Sequence, residues 1–75
     1  MKKLSELDTG QTAIITKIEG DPATRRRIMD MGIIPRSPIK MIRSAPLGDP
    51  LEFDIKDYSL TLRKRDAEHV LVEPE

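Results

Sequence analysis

The stretch Leu51-Glu52-Phe53-Asp54-Ile55-Lys56-Asp57-Tyr58-Ser59-Leu60-Thr61-Leu62 decides the fold. On both sides of Lys56-Asp57, apolar residues alternate with charged or small polar ones, the period of two that a half-buried strand requires. With Lys56-Asp57 as a two-residue hairpin turn, Ile55 lies opposite Tyr58, Phe53 opposite Leu60 and Leu51 opposite Leu62. All of these apolar side chains then share one face, and a slip of one residue would turn one set into water. The weak point is Asp57, because a primed turn prefers glycine there and aspartate tolerates positive φ less well.

Immediately upstream, Ala45-Pro46-Leu47-Gly48-Asp49-Pro50 packs two prolines and a glycine into one short segment. This is a rigid loop, not the interior of a helix or strand. Leu47 stands at its centre, where a turn normally shows a polar residue. Two readings stay open: the loop displays Leu47 as a docking element, or Leu47 folds back and caps the end of the core.

Further upstream, Ile39 to Ser44 reads as a strand with Ile39 and Met41 inward and Lys40 and Arg43 outward or edge-facing. Ile34-Pro35-Arg36-Ser37-Pro38 is a constrained turn. One helix is expected near residues 22–31. Asp21 is its N-cap, accepting from the amide of Ala23 or Thr24, with Pro22 at the first helical position. Gly32 supplies the left-handed residue after it, letting Ile33 pack back on Ile28. Thr24, Arg27, Ile28 and Met31 share a helical face, of which Ile28 and Met31 are the buried part, while Arg25, Arg26 and Asp30 point away. Thr12 to Ile18, rich in β-branched residues, is a first strand, and Leu4 and Leu7 form a lead-in with both leucines on one face.

Downstream, Lys64 to His69 is a polar connection with room for one helical turn. Val70-Leu71-Val72 closes the set as a short strand, and Glu73-Pro74-Glu75 is a tail. The expected architecture is all-β with one short helix: five short strands curling into a small barrel. Its expected inward residues are Ile15, Ile28, Met31, Ile39, Met41, Phe53, Ile55, Leu60, Leu62, Val70 and Val72.

The chain has 75 residues and is read as one domain, 1–75. At this length only about 60% of the unfolded surface is buried, and net stability is about 4–10 kcal/mol. There is no cysteine, so neither a disulfide nor a thiolate metal site supplements the core. No apolar run approaches a membrane span, and the lysines at the start are not followed by the apolar segment of a signal peptide. A cytoplasmic location is expected. Thirteen basic and thirteen acidic residues cancel, a poor field for gathering phosphates.

Catalytic chemistry is not expected. The glycines at 10, 20, 32 and 48 are isolated in turns and build no phosphate loop. The single histidine, His69, sits beside Glu68 and has no cysteine to pair with. Asp66 and His69 are spaced to meet on one helical turn, but no convincing metal-ligand set is present, and no cofactor is implied. Arg25-Arg26-Arg27 and Arg63-Lys64-Arg65 are basic runs. Nucleic-acid-binding barrels add exposed aromatics for base stacking, and Phe53 and Tyr58, the only aromatic residues, are both assigned to the core. Nucleic acid is therefore not an expected partner. Arg27 stands out because it shares the inward side of the helix, in reach of loop carbonyls.

The motifs together resemble those of the bacterial ferrous iron transport protein A (FeoA) family. Leu4, Leu7 and Gly10 match its opening pattern. Arg26 or Arg27 leads into Met31-Gly32-Ile33-Ile34-Pro35, and Ala45-Pro46-Leu47-Gly48-Asp49-Pro50 is complete. Tyr58, Leu60, Leu62, Arg63, Asp66, Ala67, Val70 and Val72 complete the last pattern. The resemblance runs over about residues 4–73. It departs at Arg36, where the family usually has glycine, and at the 56–57 turn, where asparagine or glycine is expected.

The resemblance implies an SH3-like β-barrel with an inserted helix. It also implies a non-enzymatic cytoplasmic accessory protein of the Feo ferrous iron uptake system, whose partner is the membrane GTPase transporter FeoB. An SH3-like domain of this kind also ends the iron-dependent repressors, so the alternative implication is a transition-metal-binding or metal-sensing domain. Weak homo-oligomerisation is left open. The expected partner surface is Ala45, Pro46, Leu47, Gly48, Asp49 and Pro50, bordered by the helix with Arg26 or Arg27 supplying a complementary charge. Pro46 and Pro50 restrict the loop before binding, so less conformational entropy is lost on docking.

Overall fold

The hairpin over residues 51–62 adopts the register that its alternation demands. In the computed structural model, which describes residues 1–56 and 58–75, Leu51 pairs with Leu62, Phe53 with Leu60 and Ile55 with Tyr58. The expected turn involves Asp57, which lies outside the described residues. Its neighbour Lys56 has φ 49°, a left-handed conformation that asparagine or glycine adopts at lower cost.

Element order is β1 (Lys2–Lys3), a 3₁₀ turn (Leu4–Glu6), β2 (Thr12–Ile18), α1 (Pro22–Asp30), β3 (Pro38–Ser44), β4 (Leu51–Ile55), β5 (Tyr58–Leu62), α2 (Lys64–Ala67) and β6 (Val70–Pro74). The strands form one antiparallel sheet in the order β1-β6-β2-β3-β4-β5. The expectation of five strands is corrected to six, and the sheet is not closed. The extra strand is Lys2–Lys3, which pairs with Val72 and Leu71. A two-residue lysine strand has no alternation to announce it, and only the tertiary partner makes it a strand. The final strand also extends to Pro74, taking in residues read as tail, because Glu73 and Pro74 pair with Ile14 and Ala13.

The core follows the expected faces with named exceptions. Ile15, Ile28, Ile39, Met41, Phe53, Ile55, Leu62, Val70 and Val72 are buried, as are Leu4, Leu7 and Ile33. Met31 is corrected: it is 36% exposed, because the helix ends at Asp30 and Met31 is the cap residue with ψ 0°, so its side chain leaves the helical stripe. Leu60 is only partly buried, since β5 is an edge strand with no neighbour beyond it. Tyr58 is 50% exposed rather than core. Its hydroxyl instead reaches α1 and donates to the Met31 carbonyl at 3.1 Å, satisfying one of the carbonyls that a helix end leaves unpaired.

Helix α1 is set by its caps. The Asp21 carboxylate accepts from the Thr24 amide at 2.7 Å, Pro22 fills the first position, and the Gly32 amide donates to the Met29 carbonyl at 2.9 Å with φ 97°. The Thr24 amide, then its hydroxyl, hold the Asp21 carboxyl below the usual aspartate value, helped by the charges of His69 and Arg27.

The Ile34–Pro38 turn carries a strained residue. Arg36 has φ 74°, while its amide donates to the Ile15 carbonyl at 2.6 Å. The side chain is exposed, so a glycine here would relieve the left-handed penalty and lose no packing. Arg36→Gly is expected to raise stability by about 0.5–1 kcal/mol, or about 3–6 °C in the melting midpoint, after allowance for the added freedom of glycine in the unfolded chain. A lower midpoint for the variant in a thermal melt would contradict this account of the turn.

Candidate functional site

The 45–50 loop connects β3 to β4, and its shape follows from its residues. The Gly48 amide donates to the Ala45 carbonyl at 2.7 Å, closing a four-residue turn. Pro46 stands at the position whose φ proline presets. Gly48 has φ 85°, which glycine adopts without a steric penalty. The Ala45 amide donates to the Pro50 carbonyl at 3.0 Å, extending the strand ladder into the loop.

Leu47 sits at the crest of this turn and is 97% exposed. The reading in which it folds back to cap the core is thereby removed. The loop is braced from the far side as well. The Asp49 carboxylate accepts the Lys64 amide at 2.9 Å, at the start of α2, and lies 4.0 Å from the Arg63 guanidinium. Asp49 therefore holds the loop against α2 while its own side chain stays exposed, and Leu47 is the apolar group presented.

The two helix arginines part company. Arg27 shares a hollow with Pro50, Arg63 and Asp66, so it does border the loop. Its guanidinium bonds the Asp66 carboxylate at 2.6 Å, not the loop carbonyls expected of it. Arg26 lies on another side of α1, in a hollow lined by Lys17, Arg25 and Met29, and is not brought to the loop. On the other flank of the loop a shallow groove is lined by Arg43, Ser44, Ala45, Pro46, Pro50, Glu52 and Thr61. There Arg43 bonds Glu52 at 2.8 Å. Sequence reasoning had not singled out Glu52 and Thr61. The signal was their position on the solvent face of the hairpin, opposite one another across β4 and β5.

Among the described residues no three His, Cys, Asp or Glu side chains group to hold a metal ion. Asp66, spaced three residues from His69, has its carboxylate bonded by Arg27. No described helix is long and apolar enough to cross a membrane.

The fold and this loop define a small SH3-like β-domain that presents an apolar tip on a braced turn. The chain belongs to the FeoA family, whose model, the FeoA domain, matches residues 2–74, which points to the ferrous iron transport system. A curated relative, the Fe(2+) transport protein A/Fe(2+) transporter FeoB fusion protein of Porphyromonas gingivalis, is 42% identical over 71 residues. The match takes in 95% of this chain but spans only 8% of that relative's length. The solution structure of a FeoA-like protein from Clostridium acetobutylicum is 38% identical, with a TM-score of 0.88 over 99% of this chain and 90% of the other. The crystal structure of Stenotrophomonas maltophilia FeoA complexed with zinc, described as a prokaryotic SH3 domain protein, is 25% identical, with a TM-score of 0.81 over 97% of this chain and 91% of the other.

Proposed function

We propose that this chain is a non-enzymatic docking module of ferrous iron uptake, working at the cytoplasmic face of the FeoB transporter through the 45–50 loop. The observation that carries the reading is Leu47, 97% exposed on a turn closed by its own backbone and tied to α2 through Asp49. A preformed loop loses little entropy on docking, and an apolar tip supplies affinity once water is excluded from it. The fused arrangement in the P. gingivalis relative supports FeoB as the partner, because fusion holds two interacting parts at high effective concentration.

The non-catalytic reading rests on the side chains the sequence supplies. His69 is the one histidine and there is no cysteine, and no phosphate loop is built from the isolated glycines. The testing experiment is co-purification of the tagged chain with full-length FeoB, together with ferrous iron uptake in cells lacking the chain. Retention of FeoB and loss of uptake on deletion are expected. Nucleotide turnover by the purified chain that disappears with a point substitution in it would contradict the non-enzymatic reading.

A further inference from the structure

A second surface lies on the other side of α1 from the loop. Between the end of β2 and α1 is an open hollow of about 510 Å³, far more than one water or ion occupies at about 30 Å³. Its apolar lining comes from Pro22, Met29 and Pro35, with Met29 42% exposed. Its charged lining is Lys17, Arg25 and Arg26. Among the described residues no acidic side chain lines it.

The lining of this hollow is locally basic in a chain whose charges cancel. Arg27, Arg43 and Arg63 each stand within 4.0 Å of a carboxylate. Lys17, Arg25 and Arg26 have no such partner among the described residues. Asp30 lies one helical turn beyond Arg26 without closing an ion pair among the described residues. Three unpaired cations around an apolar floor are charge-complementary to an acidic ligand that also brings apolar surface. The register between β2 and β3 covers Thr12–Ile14, with backbone bonds continuing to Ile15; beyond it Thr16, Lys17 and Ile18 line the hollow together with Pro22, Arg25, Arg26 and Met29 of α1.

We infer that this hollow is a docking groove for an acidic peptide segment carrying an apolar anchor, the anchor seated on Met29 between Pro22 and Pro35 and flanking carboxylates paired with Lys17, Arg25 and Arg26. The concave shape favours a chain segment over a bilayer, because membrane insertion needs apolar groups that protrude. The inference is independent of which partner the 45–50 loop takes.

The test is an amide-resolved NMR titration of the full, isotope-labelled chain with a short synthetic peptide bearing a central phenylalanine between paired glutamates. Saturable shifts centred on Thr16–Ile18, Arg25, Arg26 and Met29 are expected, with affinity falling several-fold between low and physiological salt. The double variant Arg25→Glu/Arg26→Glu, whose side chains are exposed and whose fold is checked by the same spectrum, is expected to lose them. A peptide with lysines in place of the glutamates should leave these resonances unmoved. No saturable shift up to millimolar peptide, or shifts centred elsewhere, would overturn the inference. So would stronger binding at the groove by anionic phosphatidylserine vesicles, by single-stranded DNA or by a second copy of the chain.

Discussion

Phe53→Ala is expected to destabilise the chain by about 3–5 kcal/mol, a large part of its total stability. Phe53 is 0% exposed and sits in β4, with Met41 opposite it on β3 and Leu60 opposite it on β5. Truncating a buried phenylalanine costs about 3–5 kcal/mol, because the transfer energy is lost and a cavity remains. A chain this short has about 4–10 kcal/mol in total. Leu60→Ala, from the partly buried edge strand, is expected to cost less, about 2 kcal/mol. Urea titrations followed by circular dichroism would rank the two. Equal losses, or a larger one for Leu60→Ala, would mean that β4 is not the centre of the core.

Gly32→Ala carries the second large effect, expected at about 2–3 kcal/mol. Gly32 has φ 97°, where a side chain costs about 1–2 kcal/mol. A Cβ there would also fall on the Tyr58 hydroxyl, with the ring carbon bearing it only 3.1 Å away. Tyr58 would have to withdraw and give up its bond to the Met31 carbonyl, a further loss of about 0.5–1.5 kcal/mol. The two parts separate in a double-mutant cycle. In a Tyr58→Phe background the cost of Gly32→Ala is expected to fall, since the bond is already absent and the nearest atom is gone. An unchanged cost in that background would show that the hydroxyl does not press on Gly32.

What could be read in advance, and what could not, divides by sequence distance. The hairpin register was legible because a period of two leaves one way to bury Phe53, Ile55 and Leu62 together. The caps of α1 were legible because Asp21, Pro22 and Gly32 act through bonds to residues a few positions away. Tyr58 misled the core assignment: alternation places it on the inner face, but nothing local says that β5 is an edge or that the ring is drawn to the end of a helix 27 residues earlier. Arg27 failed as a loop ligand for the same reason, its partner Asp66 lying 39 residues on. At the candidate site the rigidity of the loop could be read from Pro46, Gly48 and Pro50. Its bracing through Asp49 to Lys64, 15 residues away, could not, and neither could the orientation of Leu47. Both departures from the family pattern, Arg36 and the 56–57 turn, fall where the backbone is left-handed, at Arg36 and Lys56. There the usual glycine or asparagine has a conformational reason.

The most direct measurement of the docking claim is the affinity of the wild-type chain and of Leu47→Ser for full-length FeoB in detergent or nanodiscs, with thermal melts of both chains alongside. Because Leu47 is 97% exposed, the variant is expected to melt with the wild type. Burying a leucine in an interface is worth about 1.5–3 kcal/mol, so a loss of affinity of about ten- to a hundredfold is expected. A folded Leu47→Ser chain that binds FeoB as tightly as wild type would contradict the claim, leaving the loop a connector and placing the docking surface elsewhere.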